Sequence, residues 1–162
     1  MMEIYPIILV SHRDKFKVHS SFALAVANCA TGASYKREDG IVLVDSEACI
    51  GCGTCREVCP YDVRRLNPEQ LDYVVDFPLG DFDAPVHVPN TTSKCTFCAN
   101  RIDREEMPAC MELCPGRARY WGDIDDPASE ISKFLEGKTP EVLDPEAGTS
   151  PNLYFVRTRS RG

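Results

Sequence analysis

The hydrophobic positions of this chain occur in short runs separated by turns, so the sequence predicts small elements. An apolar run from Ile4 to Val10, interrupted by Pro6, predicts a short strand. The polar stretch Ser11–Ser20 predicts a loop. Phe22–Ala27 is apolar and rich in alanine, which is consistent with a helical turn that packs on the domain.

The next apolar runs predict a β-hairpin. Ser34–Arg37 and Ile41–Asp45 flank Glu38-Asp39-Gly40. Asp-Gly is a favoured hairpin pair because both residues can take positive φ. Tyr61–Leu66 then predicts a short turn or helix, with Arg64 and Arg65 in solvent.

Proline and glycine mark the rest of the chain. Residues 68–92 contain four prolines and several aspartates, which predicts a surface connector. Asp126-Pro127 predicts the N-cap and first turn of a packing helix that ends at Gly137. Its apolar face comprises Ile131, Phe134 and Leu135. Leu153–Val156 predicts a last strand before a basic tail with Arg157, Arg159 and Arg161.

Composition describes one compact soluble domain or two very small ones. The 162 residues are 43% hydrophobic and have a net charge of −7, which argues against a nucleic-acid partner. No segment approaches the roughly 18 apolar residues of a membrane span, and Ile7–Val10 is too short for a signal-peptide core. Reduced thiols at this density fit the cytoplasm, or export after folding with a signal-bearing partner.

Two cysteine groups change this picture. In the first, Cys49, Cys52, Cys55 and Cys59 are spaced by two, two and three residues, and Pro60 follows. This spacing is typical of 4Fe-4S proteins, in which three thiols bind one cluster and the fourth usually binds another. Glycines at 51 and 53 let the backbone turn and approach the cluster closely.

The second cysteine group resembles the first. It comprises Cys95, Cys98, Cys110 and Cys114, and its end repeats the Cys-x3-Cys-Pro spacing, which predicts an internal duplication. Between its thiols, the charged segment Arg101–Glu106 predicts a solvated helical turn. Tyr120 and Trp121 are expected to shield a cluster from water.

Other interpretations of the cysteines fit the sequence less well. Zinc would favour two Cys pairs, or Cys with His, separated by a loop. Disulfides suit neither the odd count of nine cysteines nor a chain that can bury an ordinary core. Cys29 alone would be a core residue, but beside eight metal-type cysteines it becomes a candidate ligand.

Several motifs resemble the iron–sulfur electron-transfer subunit of the dimethyl sulfoxide reductase family of molybdopterin oxidoreductases. The similarity covers about Cys29 to Val156. Besides the first cysteine group, the segments that match are Tyr35–Asp45, Asn67-Pro68-Glu69, Lys94–Cys98, Arg101-Ile102-Asp103, Pro108-Ala109-Cys110, Gly122-Asp123, Asp126-Pro127 and Pro145–Thr149. No hydrolase or transferase motif accompanies them.

The resemblance implies an α+β fold of ferredoxin-like 4Fe-4S domains with short hairpins, small helices and long loops. It implies a non-catalytic subunit with one to two 4Fe-4S clusters, which relays electrons between a molybdopterin catalytic subunit and a quinone-linked membrane anchor subunit or another carrier, as in anaerobic respiration. A free soluble two-cluster ferredoxin is the alternative, and a structural zinc module is a weaker one. The expected divisions are a divergent segment 1–28, a cluster-binding region 29–120, and a packing helix, strand and tail at 121–162.

This chain departs from the family pattern of four cysteine groups. A further group ending at Cys29 would need cysteines where Lys17, Ser20 and Ala25 stand, and another group is absent. The first triad is Cys49, Cys52 and Cys55, and the second triad is Cys95, Cys98 and Cys110. The resemblance therefore implies that Cys29 is the fourth ligand of the first triad, while the second triad lacks a fourth thiol. It also implies that Cys59 and Cys114 bind nothing. In the exchange typical of small ferredoxins, Cys114 would instead join Cys49, Cys52 and Cys55, and Cys59 would join Cys95, Cys98 and Cys110.

Overall fold

A computed structural model of the chain describes residues 7–9, 23–71, 75, 77, 80–122, 124, 126–149 and 151–156. The described elements are short, and they form a mixed α and β fold with long connections. The strands are β1 (Ile7–Leu9), β2 (Ser34–Lys36), β3 (Val42–Val44), β4 (Arg65–Leu66), β5 (Thr92–Ser93), β6 (Arg119–Tyr120), β7 (Glu141–Val142) and β8 (Leu153–Phe155). The helices are α1 (Leu24–Ala27), α2 (Thr54–Glu57), α3 (Ala99–Ile102), α4 (Ala109–Glu112) and α5 (Glu130–Leu135).

The largest sheet joins the two ends of the described chain. Its strand order is β6-β1-β8-β7, with β1 parallel to β6 and antiparallel to β8. Helix α5 packs beside this sheet through the buried Ile131, which belongs to a core with Val156, Tyr120 and Phe134. The predicted strands within Ile4–Val10 and Leu153–Val156 are confirmed at β1 and β8, whereas the tail residues Arg157, Arg159 and Arg161 lie outside the described residues.

Two further strand pairs form small two-stranded sheets. Strands β2 and β3 pair antiparallel, as predicted, and β4 and β5 form a second two-stranded sheet. In the first hairpin the Arg37 N–H donates to Ile41 O at 2.8 Å, which closes a three-residue turn. Gly40 has positive φ (86°), but Asp39 does not, so the turn needs only one left-handed residue.

Helix α5 begins later than the sequence indicates. Its N-cap is Ser129, whose Oγ accepts a hydrogen bond from Ser132 N at 3.2 Å. Asp126, the predicted cap, instead accepts from Ala128 N at 2.8 Å and shapes the turn before the helix. The cap prediction was wrong because Asp, Pro and Ser all favour helix starts, and only the local backbone selects among them.

Replacing Ser129 with alanine should cost about 1 kcal/mol of unfolding free energy, since a helix N–H would lose its cap. Asp126→Ala is the matched control and should cost less, because its bond lies outside the helix. Urea denaturation of both variants measures the difference. A larger loss of unfolding free energy in Asp126→Ala than in Ser129→Ala would instead support Asp126 as the N-cap, as the sequence predicts.

A second core lies among the elements of the second cysteine group. Its buried members are Ile41, Phe97, Ala99 and Met111, and Trp121 packs against them. Trp121 thus lies beside the segments that contain Cys98 and Cys110. Tyr120 lies in the other core, where it stacks on Phe134 with ring centroids 4.0 Å apart, and its shielding role stays a prediction.

Two arginine predictions also need correction. Arg64 was expected in solvent, but it is 3% exposed and donates from Nη1 to Ser34 Oγ at 2.6 Å. Arg65 is exposed, as expected. Arg101 and Arg104 are partly buried because both form ion pairs with Asp81 across the connector, at 3.3 and 3.0 Å.

None of the helices within the described ranges has the length and apolar character needed to cross a membrane.

Candidate functional site

Four cysteine side chains line one small cavity. Cys49, Cys52 and Cys55 come from the first cysteine group, and Cys29 comes from the turn after α1. Thr31, Thr54 and Thr92 complete the polar part of the wall. The structure therefore brings Cys29 to the first triad, whereas Cys114 does not line this cavity.

Backbone N–H groups point at two of these sulfurs. Ser34 N donates to Cys29 Sγ at 3.3 Å, and Thr92 N donates to Cys49 Sγ at 3.5 Å. Burial alone would raise the pKa of Cys29, but the bonds from Ser34 and Thr31 outweigh it and hold that pKa below the usual 9.0. Since iron binds the thiolate, these donors favour the metal-binding form.

Cys52 and Cys55 are also held by hydroxyl groups. Cys52 Sγ and Thr54 Oγ1 are hydrogen-bonded at 3.5 Å, and Cys55 Sγ and Thr92 Oγ1 are 3.5 Å apart. The Thr54 side chain and N–H lower the pKa of Cys52. Hydrogen bonds to cluster sulfurs are among the factors that set the reduction potential of such sites.

The loop that bears the first triad depends on two left-handed glycines. Gly51 has φ 65° and Gly53 has φ 80°. A Cβ on Gly51 would overlap the carbonyl oxygen of Asn90, while a Cβ on Gly53 would meet nothing within 4 Å. Both glycines are needed for conformation, but only Gly51 is also needed for close packing.

The thiols are not spaced for a single ion. In the part of the chain that the structure describes, no three His, Cys, Asp or Glu side chains are placed to hold one metal ion. Four thiolates around a cubane each bind a different iron and stand further apart than four ligands of one zinc ion. The donor set therefore fits a 4Fe-4S cluster better than zinc.

The backbone around these cysteines is repeated three times. Helices α1, α2 and α4 each have four residues, and Cys29, Cys59 and Cys114 each come two residues after the helix end. The residue three positions further on has positive φ in every copy, and its N–H donates to the cysteine carbonyl. These residues are Gly32, Asp62 and Arg117. The repeated helix and turn at α2 and α4 agree with the predicted duplication, and the structure adds a third copy of this geometry at α1.

The second residue of each helix is equivalent in the three copies. It is Cys55 in α2 and Cys110 in α4, but Ala25 in α1. The family pattern, which placed Ala25 at a missing cysteine, therefore agrees with the backbone geometry. Lys17 and Ser20, the other two positions, lie outside the described residues.

The second cysteine group has a different setting. Cys95 and Cys110 are exposed, while Cys98 and Cys114 are half-buried. Phe97 and Cys98 are successive non-glycine residues with φ of 57° and 50°, a strained conformation that is concentrated at functional sites. Phe97 also corresponds in position to Gly51, two residues after the first thiol of its group. Cys98 and Cys110 lie on segments that share one core, because their neighbours Phe97, Ala99 and Met111 are buried members of it.

An ion-pair network fixes the start of this group. Asn100 donates to Asp83 at 2.7 Å, and Arg104 forms ion pairs with Asp81, Asp83 and Glu106. The Glu106 hydrogen bond comes first among the causes that raise the pKa of Arg104 above its usual range. The connector is thereby held against α3, whose N-cap is Cys98.

Cys59 lies in a second cavity. Lys94 and Arg64 share its wall, together with Ala25 and Pro60. Burial, followed by the charge of Arg64, lowers the pKa of Lys94 from 10.5 to about 8, while Cys95 and Cys59 act in the opposite direction. Cys59 is thus separated from the thiols of the first triad, which line the other cavity.

Sequence reasoning missed the residues that form hydrogen bonds with the sulfurs. Thr31 and Thr54 each follow a cysteine by two positions, and this Cys-x-Thr spacing could have identified them. Ser34 acts through its backbone, and Thr92 acts through its backbone and its hydroxyl; both depend on their position in hairpins, so no local signal marks them.

Two family models match the regions that contain the two cysteine groups. Residues 42–65 match the 4Fe-4S binding domain family, and residues 82–124 match the 4Fe-4S dicluster domain family. The arsenate respiratory reductase iron-sulfur subunit of Shewanella sp. is 34% identical over 86% of this chain and 72% of its own length. The chain belongs to the iron–sulfur subunits of the dimethyl sulfoxide reductase family.

Two other relatives of this chain are covered over a smaller share of their own length. A tetrathionate reductase subunit of Salmonella typhimurium is 40% identical over 79% of this chain but only 44% of its own length. A sulfite dehydrogenase subunit of Allochromatium vinosum is 37% identical over 93% of this chain and 58% of its own length. The chain spans about half the length of these two relatives.

Proposed function

We propose that this chain is a 4Fe-4S electron-transfer subunit whose cluster is bound by Cys29, Cys49, Cys52 and Cys55. The observation that supports this most is the convergence of these thiols on one cavity, where N–H donors and threonine hydroxyls form hydrogen bonds with the sulfurs. When bound, a cluster supplies one-electron transfer. The protein holds the thiolates and orients them.

The second triad would complete the electron path. Cys95, Cys98 and Cys110 belong to a region that matches a dicluster family, so one to two clusters per chain are expected. Under this proposal the cluster-binding region is 29–120, and the segments 1–28 and 121–162 support it. We also propose that the cluster-binding region has a ferredoxin-like α+β fold.

The partners are a molybdopterin catalytic subunit and a quinone-linked membrane subunit or another carrier. Relatives named as subunits of tetrathionate reductase and arsenate respiratory reductase support a place in a larger reductase. Ile50 lies between Cys49 and Cys52 and is 67% exposed, so the cluster loop is accessible to a partner. The complex would lie in the cytoplasm, or be exported folded with a signal-bearing partner.

Iron and acid-labile sulfide in anaerobically purified protein test the proposal. We expect about four iron and four sulfide ions per cluster. The reduced protein should give an EPR signal that Cys52→Ser removes or strongly weakens. An unchanged iron content and EPR spectrum in Cys52→Ser would contradict cluster binding at this site. Bound zinc without sulfide would favour a structural zinc module. Native size-exclusion should show a complex with a catalytic chain. A monomer that exchanges electrons with many small carriers would instead indicate a free ferredoxin.

A further inference from the structure

The copies at α1 and α2 each contribute a different part to the four-thiol cavity. The four-thiol cavity combines the triad of the second copy with Cys29 of the first and with Thr92 of the hairpin that follows the second copy. Exchanging the copies predicts a second site, built from α1, Cys59 and the hairpin of the first copy.

The described structure contains that second site. One cavity is lined by Ala25 of α1, by Cys59 and by Val42 of β3, the equivalents of Cys55, Cys29 and Thr92. Arg64 and Ser34, which each follow the last cysteine of their copy by five residues, are hydrogen-bonded to each other at 2.6 Å. This contact between equivalent residues is expected near an axis that relates the copies.

The second site does not fit a cluster. Ala25 stands where the exchange requires a thiol, and the cavity wall is almost entirely apolar, with Leu24, Val63 and Leu153 among its residues. A cubane needs four thiolates, and Cys59 is the one cysteine among the lining residues that the structure describes. Cluster binding here would leave three irons without a protein thiolate.

The space is large enough for a small molecule. Its volume is about 190 Å³. An engineered apolar cavity of about 150 Å³ stays dry and binds benzene or xenon. Arg64 and Lys94 line part of this space, but the surface that faces it is mostly apolar and offers water few polar partners, so water would be held weakly.

We propose that the cavity between Ala25 and Cys59 is a vacated cluster site that holds no iron and admits small, uncharged, apolar molecules to the Cys59 thiol. The inference rests on the proposed function, which places the first cluster on Cys29, Cys49, Cys52 and Cys55. It leaves Cys59 as a modifiable thiol rather than a ligand. It also removes one position from the path that electrons could follow.

N-Ethylmaleimide is the probe, because it is small, uncharged and alkylates thiols. In the anaerobically purified full chain with iron bound, Cys59 should be alkylated without loss of iron. Cys29, Cys49, Cys52 and Cys55 should be alkylated only after a chelator removes the iron. Peptide mass spectrometry and iron analysis of the same sample report both results.

Two variants of α1 test the role of the cavity. Ala25→Met should fill it and slow the alkylation of Cys59 by about tenfold or more, since packed interiors have little free volume. Ala27→Met is the matched control, because Ala27 is exposed on the same helix and does not line the cavity, and its rate should stay unchanged.

The outcomes separate this inference from the proposed function. Protection of Cys59 until iron is removed would overturn the inference and favour exchange with the second triad. Equal rates in the two variants would overturn the role of the cavity. A preparation without iron would contradict the proposed function, and the comparison of Ala25→Met with Ala27→Met would still test access to Cys59.

Discussion

Gly51→Ala should abolish assembly of the first cluster. The new Cβ would overlap Asn90 O and lie 3.1 Å from Asn90 C, and φ at this position is 65°. Overpacking costs about 1–3 kcal/mol and a left-handed alanine costs about 1–2 kcal/mol, so together about 2–5 kcal/mol is lost. Thr92 N, which donates to Cys49, lies two residues beyond Asn90, so the displaced backbone would also disturb a sulfur contact.

Gly53→Ala separates the two causes. Gly53 also has positive φ (80°), but a Cβ there meets no atom within 4 Å. Only the left-handed penalty of about 1–2 kcal/mol applies, so this variant should retain most of its iron. Iron per chain and the urea midpoint, measured anaerobically for both variants, give the comparison. Equal losses would show that conformation, rather than contact with Asn90, limits the loop.

The sequence predicts best the features that depend on neighbouring residues. Asp39-Gly40 between two apolar runs predicts the β2–β3 hairpin, and the Cys-x2-Cys-x2-Cys spacing predicts the convergence of Cys49, Cys52 and Cys55. Both are found in the structure. The conformation of the hairpin turn and the N-cap of α5 were less predictable, since several residues suit each position.

Features that depend on distant contacts could not be predicted. Arg64 is buried because Ser34, thirty residues earlier, accepts its hydrogen bond. Strand β1 pairs with β6 and β8, which lie more than 100 residues away in the chain, and no local pattern specifies those partners. Contacts of this kind are visible only once the chain is folded.

The role of Ala25 shows how a site can be hidden in the sequence. An alanine in a short apolar helix is ordinarily a packing residue, and nothing nearby marks it. Its meaning comes from the equivalent places of Cys55 and Cys110 in the same helical turn. The family pattern indicated the position, and the repeated backbone supplies the physical reason.

Cys29→Ala should sharply lower the iron content of the protein. Cys29 lines the cavity with the first triad and receives the Ser34 N–H bond, so its loss leaves one iron of the cubane without a thiolate. Such an iron is readily lost to give a three-iron cluster, so about one of four irons should leave first. Iron analysis and the EPR signature of the three-iron form measure this effect under anaerobic conditions.

Cys114→Ala is the control that distinguishes the two ligand assignments. Cys114 occupies the same place in its turn as Cys29, but it does not line the four-thiol cavity, so its removal should change iron content little. If the small-ferredoxin exchange operated instead, Cys114→Ala and Cys59→Ala would each damage one cluster. Cys29→Ala would then behave as a modest substitution of about 1 kcal/mol. Greater iron retention in Cys29→Ala than in Cys114→Ala would therefore reject Cys29 as the fourth ligand, because the two variants remove equivalent thiols from equivalent turns.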